Sequence, residues 1–431
     1  MIRTAKLALA VVVVAIVAAL FAIVFRWTLS QVTHGNVVTM IEGLPMWARV
    51  LVPAAGGLGA GVIALWSSKL RGTSGVGFVM EAIVLNRARV PLLRSAGQAV
   101  ASWLSIATGN SLGREGPLIQ FGAAAGEGAR RWMRLDDSQA SMILAAGVAA
   151  GFAAAYNAPI AATLFVLEVV TGVVVLEAAV PVMVAAVIAT VVVHIFVGGA
   201  PIYTTRTFTF VDPVELIAYA LLGIACAPLG VFFLRLLSRI EPWWKLVPLP
   251  ARPAIGGALC GVFLCVMPSV AGNGFEEVTA ILDGHLALTA VVWLLVLKPI
   301  ATASSVGSGN PGGVFTPTLL LGACLGFVFA AGAHALFGDA IASPGTYAMV
   351  GLACALAATT HAPLMSALLA CELSGDYQLI LPLLVSCALA AGVARYLYID
   401  SVYTAELTRR GVRWRLTLDG RRMVENQPGS K

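Results

Sequence analysis

Apolar runs of membrane-spanning length recur along the chain and constrain its fold more than any other feature. A helix needs roughly 20 apolar residues to cross a bilayer core of about 30 Å. Long apolar runs cover residues 7–25, 178–197, 216–234, 254–267, 317–337 and 346–371. Some are too short for a full crossing or contain glycine and proline, as in helices that enter a protein-lined interior only partway. The pattern predicts one all-α membrane domain with many crossings.

Composition and charge support a membrane protein with a defined orientation. The chain is 59% apolar and 11% charged, whereas about a quarter of the residues in a soluble domain are charged. Arg3 and Lys6 precede the first run and a short basic tail, 408–431, ends the chain. The positive-inside bias therefore predicts that both termini are cytoplasmic and that the number of crossings is even. We interpret the tail as contacting membrane lipid rather than nucleic acid, because no aromatic residues interleave its charges in a recognised motif.

The first run is interpreted as a retained membrane helix. It is longer than the apolar region of a signal peptide, and Arg26 and Trp27 follow it instead of a small-residue cleavage site. The seven cysteines lie singly in apolar runs without metal-ligand or paired spacing. We interpret them as packing residues and predict neither a metal site nor a cofactor.

Two parts of the chain repeat each other. Residues 147–168 align without a gap with residues 351–372, and eight of the 22 positions are identical. Upstream of each, residues 113–122 align with residues 313–322, so the offsets are 204 and 200 and the order is kept. Such duplication is typical of transporters, whose binding site lies where the repeats meet. The predicted organisation is a first half at 1–240, a proline-rich linker at 241–253, a second half at 254–407 and the basic tail at 408–431.

Each repeat places a glycine-rich segment immediately before an apolar run, at residues 110–117 and 307–317. A helix that begins at membrane depth presents unpaired backbone N–H groups and a positive dipole end, which attract anions. Glycine allows the backbone to approach an ion closely, and proline in the first turn loses no hydrogen bond. The matched positions favour an anion site, although glycine breaks also occur for packing alone.

Glu115 is the strongest single candidate for a functional side chain. A carboxylate within an apolar segment is a functional candidate by default, and a helix N-terminus would stabilise its charged form. It would then compete with a transported anion, and protonation would release it and open the path. The alternative is a structural carboxylate paired with Arg114.

Two segments of the chain resemble signature motifs of a known family. The segments 113–117 (Gly-Arg-Glu-Gly-Pro) and 312–317 (Gly-Gly-Val-Phe-Thr-Pro) resemble two of the three signature motifs of the CLC chloride channels and chloride/proton antiporters. Further similar segments lie at 146–151, 157–159, 376–382 and 400–403, in family order between about residues 70 and 407. The sequence is identified as resembling a bacterial member without C-terminal regulatory domains.

The resemblance implies an architecture and a set of roles. It implies two inverted repeats, a homodimer with one anion pathway per subunit, and Glu115 as the gate. The implied anion-binding residues are Ser74, Gly116, Val314, Phe315 and Tyr403. The implied helix N-terminal motif residues are Gly113, Arg114, Pro117, Gly312, Gly313 and Pro317. Chloride is the implied substrate, with protons in an antiporter, and from the short tail we expect no nucleotide-binding modules.

The chain departs from the family pattern in two places. Residues 73–77 read Thr-Ser-Gly-Val-Gly and lack the proline of the usual Gly-Ser-Gly-Ile-Pro motif, so Ser74 is the weakest of these assignments. Val169 stands where characterised antiporters carry a proton-transferring glutamate, and the preceding Glu168 aligns with Glu372 of the second half. We therefore expect Glu168 to bond to helix-end amides, and we favour a passive channel of the voltage-gated type. Proton-coupled exchange is the alternative, because some antiporters lack this acid.

Other functions fit the sequence less well. A fluoride-selective member is less favoured because that branch alters the positions of Gly116 and Pro117. An intramembrane hydrolase would need paired aspartates, serine with histidine, or a zinc motif, and a structural scaffold would not need two matched glycine breaks. The protein is thus expected to transport anions, without enzyme activity, in a bacterial inner membrane.

Overall fold

The computed structural model describes residues 2–68, 75–85, 90–136, 139–172, 176–203, 213–248, 251–338, 341–409, 412–416 and 422–426. Nearly all of these residues are helical, which confirms the predicted all-α membrane fold. A short antiparallel hairpin in the basic tail was not predicted; its strands are β1 (Val412–Leu416) and β2 (Arg422–Asn426).

The helices of the first half, up to residue 203, are α1 (Ile2–Val32), α2 (Val37–Glu42), α3 (Met46–Ser68), α4 (Val76–Val84), α5 (Leu92–Ala107), α6 (Glu115–Met133), α7 (Ala140–Tyr156), α8 (Pro159–Leu164) and α9 (Leu176–Phe196), with a π-helical segment at Phe165–Thr171. Those that follow are α10 (Glu215–Trp244), α11 (Ala251–Val266), α12 (Phe275–Leu282), α13 (Leu288–Gly307), α14 (Phe315–Phe337), α15 (Pro344–Thr360), α16 (Pro363–Ser374), α17 (Ile380–Leu397) and α18 (Val402–Arg409), with a 3₁₀ turn at Pro268–Val270.

Seven helical segments of the described chain are long and apolar enough to cross a membrane. They are Ala5–Glu42, Met46–Ser67, Ala179–Phe196, Glu215–Trp244, Leu288–Gly307, Phe315–Phe337 and Ile380–Thr408. Four shorter apolar helices, among them α7 and α16, pack between them. Large apolar side chains such as Val180, Met183 and Val187 on α9 are exposed, as expected for a surface that faces lipid. The chain is therefore an integral membrane protein.

The two halves pack their helices in the same pattern. In the first half α6 packs on α7, and in the second α14 packs on α15. Both crossings are close: a Cβ atom at Gly122 would overlap the carbonyl group of Gly147, and one at Gly322 would overlap that of Gly351. Contacts between the halves come from α3 against α11 and from α8 against α16. The repeat seen in the sequence is thus a repeat of tertiary packing.

The long helix α10 packs against helices of the second half and is grouped with that half. It packs on α13, α15 and α17, as α1 packs on α7 and α9 in the first half. The predicted linker 241–253 contains the end of α10 and the start of α11. This packing favours a boundary between the halves before Glu215, upstream of that linker.

A reciprocal pair of carboxylates joins the halves through α8 and α16. Glu168 accepts hydrogen bonds from the backbone N–H groups of Leu364, at 3.4 Å, and Met365, at 2.8 Å, in the first turn of α16. Glu372 accepts from those of Ile160, at 2.8 Å, and Ala161, at 2.7 Å, in the first turn of α8. Each carboxylate caps the helix of the opposite half, which confirms the expectation that Glu168 bonds to helix-end amides.

Candidate functional site

The two glycine-rich segments meet at the centre of the protein. The backbone N–H of Gly113 donates to the carbonyl oxygen of Gly313 at 2.7 Å, and the N–H of Gly313 donates to that of Gly113 at the same distance. An exchange of this kind relates the two segments by a local two-fold axis. The predicted repeat positions therefore face each other directly.

Two helices begin immediately after this glycine pair. Helix α6 starts at Glu115 and helix α14 starts at Phe315. Their first N–H groups have no partner within the helix, and their positive dipole ends converge on the same place. Gly116 and Pro117 in α6 and Pro317 in α14 are buried in these first turns. The arrangement can bind an anion through the backbone.

The Glu115 carboxyl group lies where the two N-termini converge. The residue is 1% exposed, and its Oε1 atom accepts a hydrogen bond from the Tyr156 hydroxyl at 2.7 Å. The backbone N–H groups of Glu115 and Thr316 also interact with the carboxyl group. A Cβ atom at Gly113 or at Gly313 would overlap Oε2. The carboxyl group therefore fills the space that the glycine pair leaves open.

Arg114 is turned towards an aromatic ring. Its guanidinium lies over the ring of Phe275, 4.5 Å from the ring centroid. The direct hydrogen-bond partner of the Glu115 side chain in the described chain is Tyr156 instead. A guanidinium over an aromatic face is a favourable cation–π arrangement. Arg114 acts on the Glu115 carboxyl group electrostatically, but the described residues show no salt bridge between the two side chains.

Tyr156, which bonds to the Glu115 carboxyl group, belongs to a cluster of aromatic side chains. The Phe315 ring lies 5.3 Å from that of Tyr156 and 5.4 Å from that of Phe152, between centroids. The Phe165 ring lies 6.4 Å from that of Phe315 and 5.8 Å from that of Tyr403. Tyr403 is buried and interacts electrostatically with Glu115. The structure thus brings Tyr403 and Phe315 to the same site as Glu115.

Of the remaining predicted residues, Val314 and Gly312 belong to the second glycine-rich segment. Val314 directly precedes α14 and packs with Phe233 and Leu321. Gly312 lies close to the Leu112 side chain, which a Cβ at this position would crowd. Ser74 lies outside the described residues.

Two polar residues of the site, Tyr156 and Thr316, were missed by the sequence prediction. Their hydroxyl oxygens lie 3.1 Å apart, and the Tyr156 hydroxyl also donates to Glu115. Tyr156 is the last residue of α7 and is buried with 1% of its surface exposed. A sequence signal was present, because a tyrosine interrupts an alanine-rich run at the position where the second repeat has Thr360.

A buried lysine, Lys298, bonds to the loop that contacts the first glycine-rich segment. The Lys298 Nζ atom donates to the carbonyl oxygens of Val270, Ala271 and Gly272 at 2.9, 3.2 and 3.0 Å. The Gly272 carbonyl also accepts from the N–H of Leu112 at 3.2 Å, one residue before Gly113. Lys298 therefore fixes the loop against which the first glycine-rich segment is bonded.

Comparison with known proteins identifies the family. The family model described as voltage gated chloride channel matches residues 60–395. A Ralstonia nicotianae protein whose name likens it to the chloride channel protein ClcB is 38% identical over 390 residues, covering 89% of this chain and 91% of that protein. The Escherichia coli voltage-gated ClC-type chloride channel ClcB is 34% identical over 389 residues, covering 88% and 92%.

A solved structure has the same fold. The crystal structure of a slow cyanobacterial Cl⁻/H⁺ antiporter superposes with a TM-score of 0.83 at 25% identity, covering 94% of this chain and 98% of that one. The paired glycine segments, the apolar helices and these similarities agree: the chain belongs to the CLC family of voltage-gated chloride channels and related anion transporters.

Proposed function

We propose that the protein moves chloride along a path through the convergence of α6 and α14, with Glu115 as its gate. The observation that carries this proposal is the position of the Glu115 carboxyl group. It lies buried between the glycine pair, at two helix N-termini, and bonds to a tyrosine hydroxyl rather than to a cation. A carboxylate in this position mimics a bound anion, so chloride binding and gate closure exclude each other.

The anion itself would be bound mainly by backbone donors. The N–H groups near Gly116, Val314 and Phe315 supply them, and the Tyr403 hydroxyl is proposed as a further donor. Tyr403 lies beside Phe165 in the aromatic cluster, which supports its placement near the path. Ser74 is proposed as a ligand at the inner end on the sequence resemblance alone.

Passive conduction is our first proposal for the transport mode. Characterised antiporters of this family carry a second protonatable group at the position of Val169, which takes protons to the gate from the other side. Val169 is apolar, and the adjacent Glu168 is bonded to two backbone N–H groups of α16. Glu168 thus caps the start of a helix in the opposite half, as its repeat equivalent Glu372 does, which supports a structural rather than a proton-carrying role.

Proton-coupled chloride exchange is the second candidate. The similar cyanobacterial structure is described as a Cl⁻/H⁺ antiporter. Glu115 is itself a protonatable group that faces the proposed path, and it would suffice as the outer proton site. Exchange therefore differs from conduction here only in whether protons reach Glu115 from the inner side.

Paired flux measurements on the purified protein in liposomes decide between the two modes. Chloride efflux is followed with an electrode and internal pH with a trapped dye, under an imposed chloride gradient. We expect chloride efflux without coupled proton movement. Uphill proton movement driven by the chloride gradient would establish exchange instead, and absence of chloride flux in both the wild type and Glu115→Ala would contradict the transport proposal.

The assembly and orientation complete the proposal. We expect a homodimer in a bacterial inner membrane, with one path per subunit and both termini in the cytoplasm. Exposed apolar side chains on α9 and α17, such as Val187 and Leu381, offer surface for a second copy as well as for lipid. Cross-linking of single cysteines on these helices and labelling of the basic tail from either side of the membrane test the two points.

A further inference from the structure

We infer that Tyr156 is a positioning residue for the gate, and that its hydroxyl holds the Glu115 carboxylate between the two helix N-termini. The inference rests on the proposed function, in which Glu115 is the gate. It adds a residue that lies outside the glycine-rich motifs and acts on chloride only through Glu115.

The geometry of the hydroxyl supports this role. Tyr156 donates to Oε1 of Glu115 at 2.7 Å, within a site where both residues are 1% exposed. Hydrogen bonds from a hydroxyl to a charged carboxylate are short and roughly twice as strong as neutral ones. Water cannot easily replace the hydroxyl in such a site, so its loss would directly weaken the closed position of the gate.

Thr316 extends the same hydrogen-bonded chain to the second half. A tyrosine hydroxyl has one proton, and here that proton is directed to Glu115. The Thr316 hydroxyl, 3.1 Å from the Tyr156 oxygen, can then donate to it. The chain from Thr316 to Tyr156 to Glu115 is polarised in one direction, and each bond strengthens the next. Thr316 lies in the first turn of α14, so the chain connects the gate to the N-terminus of the opposite half.

Aromatic packing fixes the ring of Tyr156. Its centroid lies 4.9 Å from that of Phe152, 5.3 Å from that of Phe315 and 6.2 Å from that of Phe275. Tyr156 ends α7, and Asn157 follows in the left-handed conformation. A side chain held on three sides can aim its hydroxyl at one point, which a positioning residue requires.

The repeat shows that this hydroxyl is particular to the first half. Thr360 occupies the position of Tyr156 in the second half, and its hydroxyl donates to the Leu356 carbonyl within its own helix at 2.7 Å. Phe315 likewise occupies the position of Glu115. The gate and the tyrosine that holds it are thus both absent from the second repeat, whereas the glycine pair is shared.

The charged and titratable surroundings of Glu115 are few in the described structure. Tyr156 faces it from α7 and Tyr403 from α18, and Arg114 precedes it in the chain. Glu406 on α18 interacts with Tyr403, and Arg26 on α1 interacts with Arg114. Of these side chains, Tyr156 makes the direct hydrogen bond to the carboxyl group. Removal of its hydroxyl should therefore change gating more than removal of any of the other side chains.

Tyr156→Phe in the full chain, measured by chloride flux from liposomes between neutral and acidic pH, tests the inference. The phenyl ring keeps the packing and removes only the hydroxyl. We expect chloride flux at neutral pH to rise by about tenfold, because the loss of a hydrogen bond to a charged group changes an equilibrium by at least about that factor. The pH of half-maximal flux should move upward by about one unit, the equivalent of that factor. Thr316→Val should shift both in the same direction by less.

Tyr347→Phe is the matched control. Tyr347 also donates from a buried hydroxyl to a carboxylate, that of Glu215 at 2.9 Å, but it lies on α15 away from the gate. We expect its flux and pH profile to match the wild type. A Tyr156→Phe profile identical to that of the wild type, in protein that is monodisperse and thermally stable, would overturn the inference.

The combination with Glu115→Ala separates this inference from the proposed function. If Tyr156 acts through the gate, Tyr156→Phe has no further effect on flux once Glu115 is replaced. An equal effect of Tyr156→Phe in both backgrounds would show an independent role and contradict the inference while leaving the gate intact. A Glu115→Ala flux and pH profile equal to that of the wild type would instead contradict the proposed function.

Discussion

Gly113 and Gly313 exchange two backbone hydrogen bonds of 2.7 Å across the centre of the protein. They are repeat-related positions in two glycine-rich segments that are far apart in the chain. Their lack of side chains also creates the space that the Glu115 carboxyl group fills. The pair therefore joins the halves and also shapes the space that holds the Glu115 carboxyl group.

Gly113→Ala should disturb both functions of the pair. The added Cβ would overlap the Glu115 carboxyl group, so the carboxyl group must leave its position. We expect higher chloride flux at neutral pH and a loss of about 1–3 kcal/mol in the free energy of unfolding, as for other overpacked sites. Flux from liposomes and thermal unfolding in detergent measure the two effects.

Gly128→Ala on α6, the helix that follows Gly113, serves as the control for Gly113→Ala. A Cβ at Gly128 meets no atom within 4 Å, and alanine is favoured over glycine within a helix by up to about 1 kcal/mol. Flux should be unchanged and stability equal or slightly higher. Wild-type flux and stability in Gly113→Ala would show that the glycine is not needed at this contact.

Replacing the gate carboxylate should remove the pH dependence of transport. Under the proposed function, acid protonates Glu115 and frees the anion position, so chloride flux is expected to rise as pH falls. Glu115→Gln is neutral at every pH and should give a high flux that changes little with pH. Flux titration in liposomes checks this, and Glu127→Gln, which removes a carboxylate that pairs with Arg130 and Arg131 elsewhere on α6, is the comparison. A steep pH dependence that persists in Glu115→Gln would require another titrating group.

The reciprocal caps predict equal effects of two substitutions. Glu168→Ala and Glu372→Ala each remove a carboxylate that accepts two N–H groups at the start of a helix in the opposite half. Each should lower the free energy of unfolding by about 1–3 kcal/mol, with the ratio of proton to chloride flux unchanged. If Glu168→Ala alone altered that ratio and Glu372→Ala did not, Glu168 would have a role in proton transfer.

Lys298→Met should destabilise the loop that supports the first glycine-rich segment. The substitution removes the Lys298 donor from three carbonyl oxygens, of which only that of Gly272 also accepts from Leu112, and it removes the positive charge that interacts with the buried Glu277. Loss of hydrogen bonds from a charged donor costs about 1.5–3 kcal/mol each, so thermal unfolding should occur at a clearly lower temperature. Adding Glu277→Gln should recover part of the lost thermal stability. Lys245 is exposed, so Lys245→Met should leave thermal stability unchanged. Equal stability of Lys298→Met and the wild type would contradict the role of the lysine.

The features that sequence reasoning predicted correctly are those encoded locally. The apolar runs predicted the membrane helices because helix length and hydropathy follow from contiguous residues. The repeat and the two motifs predicted the paired helix N-termini, and the Glu168–Glu372 alignment predicted a structural capping role. The hairpin formed by β1 and β2 was missed because it is short and lies within a polar tail.

Contacts between distant residues were decided by the tertiary structure. The pairing of Gly113 with Gly313, the hydrogen bond from Tyr156 to Glu115 and the turn of Arg114 towards Phe275 each depend on how separate helices pack. Sequence alone determined that this chain is a helical membrane protein with two related halves and a carboxylate at a helix start. Only the tertiary structure decided which groups surround that carboxylate, because a buried polar group finds its partners among whatever side chains the fold brings within hydrogen-bond distance.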